Sequence, residues 1–318
     1  MVSADLLAAG FVAPSELLLN YTFRTMLIGT VLVGVFSGSM GCFLYLRRQA
    51  LIADVIGHSA VFGVAASFVL AVAMLGVSGR SMVTLTIGAV IASSLASFTV
   101  NWISGTRLGS DAAMAGVLAL FYGSGIVLLR SASLSSLPGR GGIETYIFGN
   151  AATTTHEDLL VIAVCGGAAL LTIIIGWRAF GLFTFDPVFA HTVGYRTAVL
   201  GPVLGVATTV AVVIGVKSVG LILMVAFAIM PAASARQWTG SLRSMVMLAG
   251  SIGGAAGAVG SYAAVSFGRV PTGPIVVLVL FTVFLVSVLF APRRSVIGRA
   301  VRARRNAARL AVVGGDGR

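Results

Sequence analysis

The chain has 318 residues, of which 58% are apolar and 9% charged, with a formal net charge of +12 and a mean hydropathy of +1.05. Soluble domains carry about a quarter charged residues, so this composition excludes an ordinary water-soluble globule and puts the chain in a lipid bilayer. The positive charge does not point to nucleic acid: Lys217 is the single lysine, and outside the C-terminus the arginines are scattered between apolar blocks, as topology signals are.

Residues 1–20 lack the basic start of a signal peptide. Asp5 is the first charge and Glu16 follows the apolar run, so the N-terminus is expected to be retained. A membrane-crossing helix needs roughly 20 mainly apolar residues. Nine stretches without Asp, Glu, Lys or Arg approach that length: 25–46, 55–77, 82–104, 112–129, 159–177, 197–216, 218–235, 245–267 and 275–291. In lipid each backbone amide must be satisfied within its own segment, so all nine are expected to be helices. The sixth and seventh are separated only by Lys217, with a tight turn expected over Gly215-Val216-Lys217-Ser218. The fold class is therefore an all-α polytopic membrane protein of about nine spans, or eight with one partly inserted helix. Its expected organisation is an extracytoplasmic segment (1–22), a transmembrane domain (23–292) and a basic cytoplasmic tail (293–318).

Threaded with the N-terminus outside, nine spans leave fifteen positive residues inside and six outside. The positive-inside rule then favours N-out, C-in. Gly34, Gly38 and Gly41 share one face of the first span, and Gly250, Gly253, Gly254, Gly257 and Gly260 stud the eighth. Small residues at three- and four-residue spacing let helix backbones approach closely in lipid, so both rows are read chiefly as packing surfaces. Cys42 and Cys165, each inside an apolar stretch, make no disulfide framework and no CxxC site.

Four features carry potential chemistry. Between Arg48 and Arg80 lie 31 residues whose only ionisable members are Asp54 and His58. On a helix these share a face, about 6 Å apart along the axis. A charge near the bilayer centre costs at least roughly 2.5–3.5 kcal/mol on insertion scales, so a carboxylate there has a partner or a task. Carboxylate oxygen and imidazole nitrogen suit a borderline divalent ion such as Mn²⁺, Fe²⁺ or Zn²⁺. A hydrogen bond holding a helix end and a proton relay are the other readings of the same pair. Two ligands do not enclose an ion, but two subunits across a two-fold axis supply four.

The second feature is Phe183 to Ala190, where Asp186 before Pro187 marks a helix start. A short helix presenting Phe185 and Phe189 is expected to lie against a partner or against lipid. The third is Ser218 to Arg236, in which Pro231 removes a helical hydrogen bond while Met224 and Met230 serve as packing. The fourth is the loop 130–158, where His156, Glu157 and Asp158 either hold an ion at an entrance or are simply solvated. Phosphate-binding chemistry has no residues to work with: the one Lys-Ser pair, Lys217-Ser218, has Val216 and Ala211 where a P-loop requires glycines. No catalytic residue is assigned, and any pumping draws its energy from another chain.

Taken in order, Gly41 to Arg48, the Asp54/His58 stretch, Tyr146 to Asn150, Phe185-Asp186-Pro187 with Phe189-Ala190, Val219 to Arg236 and Pro271-Thr272-Gly273 resemble the ABC-3 family of metal permeases. These are membrane subunits of ATP-binding cassette importers for manganese, zinc and ferrous iron, and the likeness runs over roughly residues 20–292. Where the family usually reads Asp-x-x-Ser-His-Ala, Gly57 and Ser59 flank His58 here, and both ligand positions are kept. The resemblance implies a permease fold of the vitamin B12-importer type in the bacterial inner membrane, carrying Mn²⁺ or Zn²⁺, with Fe²⁺ as a further candidate, and holding no permanent cofactor. It implies Asp54 and His58 as transit ligands, and Phe185, Asp186, Pro187, Phe189 and Ala190 as the helix that couples to ATPase subunits. A second permease subunit, identical or paralogous, and an extracytoplasmic metal-binding protein docking near Arg24 complete the implied assembly. The arginine-rich tail, outside the family pattern, is assigned to anionic lipid or to topology. A permease for a metal chelate, siderophore or vitamin, and an ion-coupled secondary transporter, are the competing readings.

Overall fold

The computed structural model describes residues 19–74, 81–135, 149, 151–267 and 271–291. The expected tail 293–318, residues 1–18, and Tyr146 to Phe148 with Asn150 of the motif above lie outside these. Among the described residues every regular element is helical: α1 (Tyr21–Leu46), α2 (Ala50–Met74), α3 (Met82–Ser104), α4 (Ser110–Leu134), α5 (His156–Ile175), α6 (Trp177–Phe185), α7 (Pro187–Thr192), α8 (Thr197–Val219), α9 (Leu221–Trp238), α10 (Leu242–Ser266) and α11 (Thr272–Phe290). Eight of these are long and apolar enough to cross a membrane. The ninth long helix, α9, has 18 residues with Pro231 inside it.

Contacts along the helices fix their directions. Tyr21 at the start of α1 meets His156 at the start of α5, ring centroids 5.2 Å apart, and Thr272 of α11 reaches Met26; these mark one end of the bundle. Arg47 lies 4.9 Å over the Phe183 ring and Phe43 meets Trp177 at 6.5 Å, marking the other. The nine long helices pass alternately between the two ends, so the start of α1 and the close of α11 lie on opposite sides.

At the centre, α1 and α10 touch backbone to backbone. A Cβ placed on Gly34 would lie 2.2 Å from the Gly253 carbonyl oxygen, and one on Gly257 would lie 2.6 Å from that of Thr30. The Thr30 and Ser261 hydroxyls close the seam at 2.7 Å. Both glycine rows thus serve packing within the chain. On the other flank of α1, Gly41 gives way to the Ala228 carbonyl of α9. Cys42 is fully buried beside Met245, as packing requires; Cys165 is half-buried on α5.

The break between the sixth and seventh spans falls later than expected. Residues Gly215 to Ser218 stay helical, all but Lys217 buried, and the chain reverses at Gly220, whose φ of +93° only glycine adopts at low cost. Lys217 does not break the helix because its charge is matched: Nζ lies 2.5 Å from the Asp158 carboxylate. The loop expected over 130–158 is also shorter at both ends. α4 continues to Leu134, and α5 starts at His156, where Thr155 and Asp158 form a reciprocal capping box.

Candidate metal-transit site

The Asp54/His58 pair is positioned by α2, whose start directly follows the turn at Arg47 and Arg48. Because the helix begins at Ala50, Asp54 sits about 6 Å and His58 about 12 Å along it. The helix starts ahead of the expected span 55–77, so it takes in Asp54 as well as His58, one and two turns from the α1–α2 connection. The side chains are 37% and 21% exposed respectively in the single chain.

Their geometry assigns a proton. The Nδ1 of His58 lies 3.0 Å from Asp54 Oδ1 and 3.0 Å from the Asp54 main-chain oxygen. Both neighbours are acceptors in the ionised state, so Nδ1 carries hydrogen and donates, and Nε2 keeps its lone pair in the neutral ring. A carboxylate that fixes the far nitrogen of an imidazole is the usual outer support of a metal-ligating histidine. Asp54 keeps a second oxygen for an ion. Among the described residues no group of three or more His, Cys, Asp and Glu comes together.

Tyr122 of α4, not anticipated from sequence, completes the near wall of the site. Its ring meets that of His58 at 4.9 Å between centroids and 81° between planes. One turn further on, Gly125 allows this approach: a Cβ there would lie 2.7 Å from the Phe62 amide nitrogen of α2. Phe62 and Phe121 pack edge to face beside it at 5.8 Å. Tyr122 and Gly125, three apart, therefore face α2 together. That spacing was the one signal available, and it had nothing to attach to without the α2–α4 pairing.

The other expected positions fall elsewhere. Asp186 caps α7 as its sequence requires, accepting from the Phe189 amide at 2.8 Å, with Pro187 opening the helix. Phe185, Val188 and Phe189 are 61%, 73% and 53% exposed, while Ala190 is fully buried and anchors α7 to the bundle. Arg24 is exposed near the start of α1, at the end opposite α7. Of the acids at the start of α5, Glu157 is exposed, and Asp158 meets both Lys217 and the Thr155 amide through Oδ2, so its charge is already matched by the lysine. Gly149 packs against Gly220 so closely that a Cβ on it would lie 2.1 Å from the Gly220 nitrogen.

A bundle of long apolar helices with one partly buried Asp–His pair and a short exposed helix on a single end defines a polytopic membrane protein. The chain belongs to the ABC 3 transport family, whose model matches residues 19–291. It is 35% identical over 278 residues to the manganese transport system membrane protein MntC of Bacillus subtilis, covering 87% of this chain and 62% of that protein. It is 34% identical to the zinc transport system membrane protein TroC of Treponema pallidum, covering 90% of this chain and 94% of that one. The chain thus spans under two thirds of the Bacillus relative and nearly all of the Treponema one. Among solved structures, PsaBC from Streptococcus pneumoniae in complex with Fab has a chain that superposes with a TM-score of 0.78 at 30% identity, covering 92% of this chain and all of that one.

Proposed function

We propose that the chain is the membrane-spanning permease subunit of an ATP-binding cassette importer that moves a divalent transition metal ion, Mn²⁺ or Zn²⁺, across the bacterial inner membrane. The observation that carries this reading is the Asp54–His58 geometry: Nδ1 tied down, Nε2 open, and one carboxylate oxygen spare. His58 is the direct ligand through Nε2, and Asp54 both holds the ring and lends charge. A chain with two such groups needs water or a second permease copy to surround an ion, and a dimeric core supplies a matching pair.

In this reading the N-terminus is outside, so α7 faces the cytoplasm and its exposed Phe185, Val188 and Phe189 receive the ATPase subunits. An extracytoplasmic metal-binding protein docks at the opposite end, with Arg24 among its contacts. An ion-coupled secondary carrier needs no such docking helix, and membership of an ATP-binding cassette family speaks for the ATP-driven alternative. A bulky organic cargo gives the Asp–His pair no role.

The test is uptake of radiolabelled manganese and zinc by cells carrying Asp54→Ala or His58→Ala, with assembly of the complex followed in parallel. Both variants should assemble and lose accumulation. Normal accumulation in either would remove that residue from the site.

A further inference from the structure

We propose that the cleft between α3 and α8 binds the phosphate of an anionic phospholipid, with an acyl chain lying in the adjoining groove between α5 and α8. The cleft is a cavity of about 330 Å³ floored by Arg47 and by Ser94, Ser97 and Asn101 of α3, with Pro202 and Val206 of α8 as its other wall. Arg47 is half-buried at the end of α1. Its guanidinium rests on Phe183, and the ion pairs among the described residues are Asp54–His58 and Lys217–Asp158, neither of which includes it. A partly desolvated cation without a counterion is costly, and a guanidinium is shaped for two phosphate oxygens. In the same cleft, the Ser94 hydroxyl has no hydrogen-bond partner among the described residues.

The source of the phosphate follows from the surroundings. Phe98 and Val206 at the mouth are 61% and 45% exposed, and Phe98 continues the exposed row Ile87, Ile91, Leu95 of α3, the stripe that faces lipid. Arg47 lies one residue beyond the end of α1, and arginines at the ends of spanning helices sit where headgroups are met. Across the ridge of Pro202 and Val206 runs a second groove of about 470 Å³, lined by Cys165, Ala169, Thr172 and Val210 and almost wholly apolar. A free phosphate fills only the first compartment. A phospholipid uses both, and basic pockets between transmembrane helices are where such headgroups lodge.

The full-length chain, purified and stripped of lipid, is titrated with phosphatidylglycerol, phosphatidylcholine and inorganic phosphate, and bound molecules are counted by native mass spectrometry. Wild type should retain phosphatidylglycerol in preference to phosphatidylcholine, and Arg47→Gln should weaken it about tenfold, the loss of one charge-assisted contact. Arg48→Gln, at the exposed arginine next door, should stay within about twofold of wild type. Val206→Trp, an exposed position that leaves the core alone, should block the groove and lower lipid retention with Arg47 intact. Equal losses in Arg47→Gln and Arg48→Gln would mean general attraction to a basic surface and overturn the site. Inorganic phosphate matching the lipid's affinity, with Val206→Trp without effect, would overturn the lipid assignment.

Discussion

Replacing Lys217 by methionine tests whether the ion pair at the α5–α8 junction holds the reversal of the chain in place. Asp158 is 3% exposed and Lys217 22%, and the Asp158 Oδ2 that meets Nζ at 2.5 Å also accepts the Thr155 amide at 2.8 Å. Removing one partner of a buried pair costs about 3–5 kcal/mol because the other charge stays behind uncompensated. The partial exposure of Lys217 and the surviving amide bond reduce this to about 2–3 kcal/mol. For a chain of this length that corresponds to a fall in melting temperature of roughly 5 °C. The measurement is thermal unfolding of the purified protein in detergent at one fixed scan rate, since membrane proteins of this size unfold irreversibly. Adding Asp158→Asn to Lys217→Met removes the stranded charge and should recover about half of the loss or more. A Lys217→Met protein melting within about 1 °C of wild type would refute the reasoning, and Lys217 would then be a solvated lysine at a helix end.

Three further outcomes are expected. Tyr122→Ala should raise the apparent KM for metal uptake about threefold or more with little change in maximal rate, and Tyr122→Phe should restore it, because the ring against His58 is worth about 0.5–1.5 kcal/mol; equal KM values in all three proteins would leave Tyr122 a bystander. Gly253→Leu should abolish recovery of folded protein from the membrane, since a side chain there meets the Gly34 carbonyl at 2.1 Å from its first carbon and overpacking costs about 1–3 kcal/mol even where the backbone gives. Phe189→Asp, at a position 53% exposed, should change stability by no more than about 0.5 kcal/mol yet separate ATP hydrolysis from transport in the assembled complex; unchanged coupling would move the docking surface off α7.

The helices were legible because lipid leaves the backbone a single solution, so runs free of charge mark their own positions. The Asp186-Pro187 start of α7 was legible for a local reason, a cap and a fixed φ acting within four residues. Gly220 was harder. Lys217 looked like the break because an unpaired lysine in lipid would be one, and only the fold reveals that Asp158, 59 positions earlier, neutralises it. The start of α2 was placed late for a related reason: a run without charge marks apolar sequence, while the helix extends past it to Ala50 and takes in Asp54. Tyr122 was out of reach because its meaning depends on α4 lying against α2 through Gly125, a tertiary fact at which their three-residue spacing only hints.

The glycine seam between α1 and α10 bears on how such a molecule moves. Packed helices usually slip past one another by swapping rotamers at their contact, trading one interlocked arrangement for another. Where main chain rests on main chain there is no rotamer to swap. These two helices are bound to travel as one rigid strut, and any opening of a path must be taken up along joints where side chains still mediate.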